Sequence, residues 1–165
     1  MQAEDTMYGA IVRGDVSKVR ELVSSDPAIL KHLVVHKSWL HLAAQKGNID
    51  VMRVMVDAGL PVDQLTEDGG STPLNIAAGQ GHHDACEWLL DHGADVNYGY
   101  GVKATPIFSA IFGGQLPVVA LLIRRGARLD AAFGEPRQTV LTYAQRHGTN
   151  EISTFLAEHR GSPQS

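Results

Sequence analysis

At 165 residues, 44% of them hydrophobic, the chain fits one globular domain with a core of its own. A net charge of −4 hides an asymmetry: residues 1–100 hold seven Lys and Arg against fourteen Asp and Glu, and residues 101–165 hold seven against four. Such a dipolar chain lacks the continuous basic face that nucleic acid calls for. The single cysteine, Cys86, allows no internal disulfide and points to a reducing, cytoplasmic setting. The N-terminus has no apolar signal-like core, and the aliphatic run P-V-V-A-L-L-I at 117–123 is far below the roughly 20 residues that span a bilayer. A soluble protein with no membrane or nucleic-acid partner is expected.

In chain order, the first unit opens at Thr6 as T-M-Y-G-A-I-V-R-G. Three gapless copies follow: S-W-L-H-L-A-A-Q-K-G from Ser38, T-P-L-N-I-A-A-G-Q-G from Thr72 and T-P-I-F-S-A-I-F-G-G from Thr105. A last copy, T-V-L-T-Y-A-Q-R-H-G, starts at Thr139. Met7, Leu40, Leu74, Ile107 and Leu141 mark one position at spacings of 33, 34, 33 and 34 residues, so the chain reads as five copies of one unit. Residues 1–160 form one repeat domain on this reading, and 161–165 a short tail.

Each copy predicts a helix pair. Thr72 before Pro73, and Thr105 before Pro106, place an N-cap hydroxyl ahead of a proline suited to the first helical turn. Gly14, Gly47, Gly81, Gly114 and Gly148 come where the first helix must stop in left-handed geometry. Beyond them, apolar pairs such as Val51-Met52 with Met55-Val56, and Val118-Val119 with Leu122-Ile123, draw the stripe of an amphipathic second helix. Gly59, Gly93 and Gly126 end that helix in three copies, followed by the extended segments L-P-V-D, A-D-V-N and A-R-L-D.

The motifs T-P-L-N-I-A-A-G-Q-G-H and E-W-L-L-D-H-G-A-D-V-N closely resemble the ankyrin-repeat family, over about residues 6–158. The resemblance implies an all-α solenoid: stacked helix-turn-helix units with hairpin-like fingers projecting from them. The first copy lacks T-P-L-H and carries D-P-A-I-L, and the last has Glu158-His159 in place of G-A-D; both read as capping repeats.

Catalytic and metal chemistry find little support. His32 and His36, and the adjacent His82 and His83, lack a second ligand set with zinc spacing. His82 follows the turn glycine, where the resemblance implies a structural hydrogen bond. Cys86 shares its position with Met52 and Val119 and reads as core, not nucleophile. The run G-Y-G lacks the lysine and helix of a phosphate loop, and no serine, histidine and aspartate are arranged as a triad. No enzyme activity, cofactor or metal is expected. A metal-dependent or catalytic protein and a self-associating structural module stand as rivals.

Recognition remains. The resemblance implies that a partner protein is bound by finger tips at 34–37, 67–71, 100–104 and 135–138 and by the concave side of the first helices. Partner-binding candidates are Trp39, Lys46, Glu67, Asp68, Gln80, Tyr98, Tyr100, Lys103, Phe108, Phe112, Arg137 and Arg146. Trp39 stands where the family has proline and Phe108 where it has histidine; each either anchors a partner or packs internally. Trp88 reads as an outer-surface aromatic, and Arg124 and Arg125 as partners of a helix dipole. Glu67 and Asp68 ahead of Lys103, Arg137 and Arg146 suggest a groove running from acidic to basic. In N-Y-G-Y-G-V-K, at 97–103, Tyr98 follows the extended arm, and Tyr100, near the tip, is the stronger contact residue. Blocking of a partner by a monomeric array fits the modest length better than bridging by an adaptor. An immunity-type protein that neutralises a bacterial toxin is a second form of blocker, and homodimerisation through the convex face stays open.

Overall fold

The structure is a computed structural model, and it describes residues 3–34, 36–99, 103–134 and 137–159. Ten α-helices follow one another among these residues as five antiparallel pairs. They are α1 (Ala3–Arg13) with α2 (Val16–Ser25), α3 (Trp39–Gln45) with α4 (Ile49–Asp57), and α5 (Pro73–Gln80) with α6 (His83–Asp91). Then come α7 (Pro106–Phe112) with α8 (Leu116–Arg124), and α9 (Val140–His147) with α10 (Asn150–Glu158). First helices pack on first helices and second on second, giving two layers.

Local chemistry sets the boundaries. Pro73 and Pro106 occupy the first turns of α5 and α7, where a missing donor costs nothing. Gly81 closes α5 in the left-handed region at φ 79°, and Gly14, Gly47 and Gly114 take the same conformation. Gly148 departs from this expectation: it is extended, at φ −87° and ψ −178°. Thr149 beside it opens α10 by accepting from the Ile152 amide at 3.2 Å, so the turn is made without a left-handed residue.

Two fingers are short antiparallel hairpins. In the first, β1 (Leu33–Val34) pairs with β2 (Lys37–Ser38). In the last, β3 (Ala132–Phe133) pairs with β4 (Gln138–Thr139). The finger before α5 is instead a turn, closed by the Thr66 amide on the Ser71 carbonyl (3.0 Å) and the Gly69 amide on the Thr66 carbonyl (2.7 Å).

The core runs the length of the stack between the two helix layers. Met7, Leu40, Leu74 and Ile107, the repeating third positions, are fully buried, as are Val19, Met52, Cys86 and Val119. Burial pushes the Cys86 thiol up to about 12, so it stays protonated and inert. At the N-terminal end, Pro27–Lys31 forms a 3-10 turn that buries Ile29 and Leu30 in place of the glycine turn of later pairs.

Polar ties stitch neighbouring pairs together. His41 is buried; its Nδ1 accepts from the Ser38 amide (3.3 Å) and its Nε2 donates to the Ser71 carbonyl (3.2 Å). Asn75 takes the same place one pair later: its Oδ1 accepts from the Thr72 amide (3.2 Å) and hydroxyl (2.7 Å), and its Nδ2 donates to the Ala104 carbonyl (3.1 Å). Phe108 comes third in the series and has no polar group to offer. The Thr105 hydroxyl beneath it is buried without a partner, contrary to its expected capping role. Phe108 packs on Phe133 and Tyr143 instead, at ring-centroid distances of 5.7 and 5.1 Å. His82, as expected, ties its pair to the preceding one by donating from Nε2 to the Gln45 carbonyl at 2.9 Å.

Candidate protein-interaction surface

The inner layer of helices carries a groove of about 520 Å³ between α3, α5, α7 and α9. Glycines create it. A β-carbon on Gly113 would lie 2.1 Å from the Gly79 carbonyl oxygen, so the backbones of α5 and α7 touch at this point. Gly79 also occupies the repeat position that Phe112 fills in the next pair. Its missing side chain leaves a hollow beside the Phe112 ring, which is 71% exposed. Ile76, Ser109 and Tyr143 line it together with Gln45, Gln80 and Lys37. Burial raises the Tyr143 phenol above its ordinary range, keeping it neutral.

Several candidates sit where a ligand could reach them. Lys46, Glu67, Asp68, Gln80, Phe112, Arg137 and Arg146 are exposed, and Tyr98 and Lys103 are half-buried. Tyr100 lies outside the described residues.

Two aromatics do not belong to the surface. Trp39 is fully buried, and its Nε1 donates to the Ile29 carbonyl at 2.7 Å, so it locks the 3-10 turn of the first pair onto the second. Phe108 is 1% exposed, covered by Phe133 and Tyr143. Neither offers a partner a ring to grip. Trp88 is likewise buried, stacked on His92 at 3.9 Å, because its position lies between Val54 and Leu121 of the flanking second helices. Arg125 does more than face its own helix end. Its guanidinium bridges Glu87 (2.9 Å) and Asp91 (2.7 Å) of α6, and the Asp91 hydrogen bond holds its pKa above the ordinary arginine value.

Several charged finger side chains are hydrogen-bonded within the protein. His36, left-handed at φ 63°, meets Glu67 through Nδ1, and Lys103 Nζ donates to the Gly69 carbonyl. Asp68 accepts from the Thr66 hydroxyl (2.5 Å) and the Gly70 amide (3.0 Å), and the first of these leads in holding its carboxyl below the usual range. These bonds keep Asp68 ionised and fix the acidic end of the expected run in place. Ile76, Gly79, Ser109 and Tyr143 were not foreseen in the groove lining; the signal was Gly79 standing where the next copy has Phe112.

Among the described residues no three His, Cys, Asp or Glu side chains gather as a metal site, and no helix is long and apolar enough to cross a membrane.

A sequence model of ankyrin repeats, three copies long, matches residues 7–100. The chain belongs to the ankyrin-repeat family. Ankyrin repeats are protein–protein interaction modules, generally without catalysis of their own. Among curated relatives, the ankyrin repeat and KH domain-containing protein mask-1 of Caenorhabditis elegans is 34% identical over 128 residues, covering 75% of this chain and 5% of that protein. A putative palmitoyltransferase, ZDHHC13 of Danio rerio, is 27% identical over 157 residues, 95% of this chain and 24% of its own length. The Caenorhabditis elegans homologue of transient receptor potential cation channel subfamily A member 1 is 29% identical over 120 residues, 72% of this chain and 10% of the channel. The ankyrin array thus spans a quarter or less of each of these relatives.

Proposed function

We propose that all five helix pairs, including those beyond residue 100, act as one ankyrin domain over 1–160. It binds another protein through the inner groove and the finger tips. The observation that carries this reading is Phe112, 71% exposed on a groove whose lining includes Ile76 and Tyr143. A large ring held on a helix and left in water costs hydrophobic free energy that a partner would recover, and such rings supply much of the binding energy at interfaces. Lys46, Gln80 and Arg146 flank it on the helices, and Glu67, Asp68, Tyr98, Tyr100, Lys103 and Arg137 are proposed as contacts along the fingers. The array acts as a monomer, and by covering its partner's surface it inhibits that partner.

Capture from native lysate with wild type beside a Tyr98→Ala/Tyr100→Ala/Phe112→Ala variant tests the surface. Proteins retained by the wild type should be lost from the variant; identical sets from both would place binding elsewhere. The captured partner's own activity, measured with saturating array, then tests inhibition.

A further inference from the structure

The two helix layers differ in charge. The second helices α2, α4, α6, α8 and α10 carry eight carboxylates between them. Among the first helices, α3, α5, α7 and α9 carry none, and α1, at the N-terminal end of that layer, carries Glu4 and Asp5. Cations remain on that side: Lys46 caps α3, Arg146 lies in the last turn of α9, and Lys37, on the first finger, lines the groove. Lys46 and Arg146 are exposed, and neither enters an ion pair among the described residues. Of the finger carboxylates, Glu67 meets His36 and Asp68 accepts from Thr66 and Gly70, and both line a neighbouring hollow at the Lys37 end of the groove. The hollow beside Phe112, between α5 and α7, thus has a helix with an unpaired cation on either side of it, α3 with Lys46 and α9 with Arg146.

We propose that this groove takes a partner segment that sets a bulky apolar side chain against Phe112 and carboxylates toward Lys46 and Arg146. The proposal rests on the concave-face reading above and adds the chemistry of the occupant. Apolar burial at Phe112 supplies affinity, and the flanking cations fix register and exclude basic segments. A purely electrostatic ligand such as nucleic acid would leave Phe112 and the hollow unused.

A display library of short random peptides, selected on the full chain, tests it. The Phe112→Ser and Lys46→Glu/Arg146→Glu variants serve as counter-screens, and thermal unfolding shows whether they stay folded. Enriched peptides should join a bulky apolar residue to Asp or Glu. They should weaken by about tenfold or more on each variant, and the charge-reversal loss should shrink as salt rises. Peptides that need Phe112 but show no acidic excess and ignore the charge reversal would overturn this inference and leave the concave-face reading standing. Peptides indifferent to Phe112→Ser, or no binders at all, would overturn both. A fluorescent single-stranded oligonucleotide is the last probe; if it bound more tightly than any peptide and were released by Lys46→Glu/Arg146→Glu, the cations would serve phosphate and the inference would fail.

Discussion

Asp63 and Asn97 occupy the same position in successive repeats, and the asparagine has both ends of its side chain engaged where the aspartate has one. Asn97 Oδ1 accepts from the Arg128 amide at 2.8 Å while its Nδ2 donates to the Gly126 carbonyl at 3.0 Å. Asp63 Oδ2 accepts from the Asp95 amide at 3.0 Å, but its Oδ1 is buried with no partner. In the repeat register the carbonyl of Gly93 corresponds to that of Gly126, the acceptor that the Asn97 amide meets. Burial, more than the nearby Asp95 charge, lifts the Asp63 carboxyl above its ordinary value.

Asp63→Asn should therefore stabilise the protein by about 1 kcal/mol at pH 7, by supplying the missing donor. The sign of the pH dependence is fixed by the raised pKa. The folded state favours the protonated acid, so the wild type loses stability as pH rises through the folded value. The advantage of the variant should shrink as pH falls toward 4. Urea unfolding of both proteins across that range decides it; a constant or inverted difference would contradict the account.

His41 gives the opposite slope. Burial lowers its pKa below 6.5, so the folded state favours the neutral ring that donates to Ser71. Stability from this group is complete above the unfolded value and is lost as pH falls below it. Asn75 holds the same place with an amide that does not titrate, so His41→Asn should remain folded, within about 1 kcal/mol of wild type at neutral pH. Its unfolding free energy should vary less between pH 7.5 and 5.5, a range set by the ordinary histidine value of about 6.5. An unchanged slope would show that other groups govern the acid response.

The two threonine caps should respond differently to Val. Thr72 accepts from the Asn75 amide at 3.3 Å and donates to Asn75 Oδ1, so Thr72→Val should cost about 1–2 kcal/mol. Thr105 has a buried hydroxyl with no partner, and Thr105→Val should change stability by less than about 0.5 kcal/mol or improve it. Denaturant midpoints for the pair provide the check, and equal losses would refute the distinction.

Glycines 79 and 113 should separate in the same way. Gly113→Ala drives a methyl into the Gly79 carbonyl 2.1 Å away and should cost about 1–3 kcal/mol, although its φ of −76° suits alanine. Gly79→Ala meets the Ser109 carbonyl oxygen at an ordinary 3.5 Å and should gain up to about 1 kcal/mol in helix propensity. It should also narrow the hollow beside Phe112. Thermal unfolding of the two variants would expose an error if their order were reversed.

Much of the fold was legible in the sequence because its punctuation answers local backbone needs. Pro73 and Pro106 mark first turns, and Gly14, Gly47, Gly81 and Gly114 supply left-handed residues. The facing of Trp39, Trp88 and Phe108 was not legible, because it depends on groups far away in sequence. Phe108 and Phe112 lie one turn apart on α7, yet one is 1% and the other 71% exposed. Tyr143 and Phe133 cover Phe108, while the hollow at Gly79 lies open beside Phe112. Trp39 was set by a carbonyl ten residues earlier, and Trp88 by its rung between Val54 and Leu121. Gly148 misled because Thr149 could open the next helix without it.

Apart from Trp39–Ile29, ten positions apart, the hydrogen bonds between neighbouring pairs described above join residues 29 to 38 positions apart, from Asn75–Ala104 to Arg125–Glu87. None requires distant parts of the chain to meet. Closing loops of one repeat length costs little entropy and the same at each step, so contact order stays low however many units are added. Such a topology can nucleate at any pair and grow outward by one unit at a time, and a fault at one end need not spread to the other.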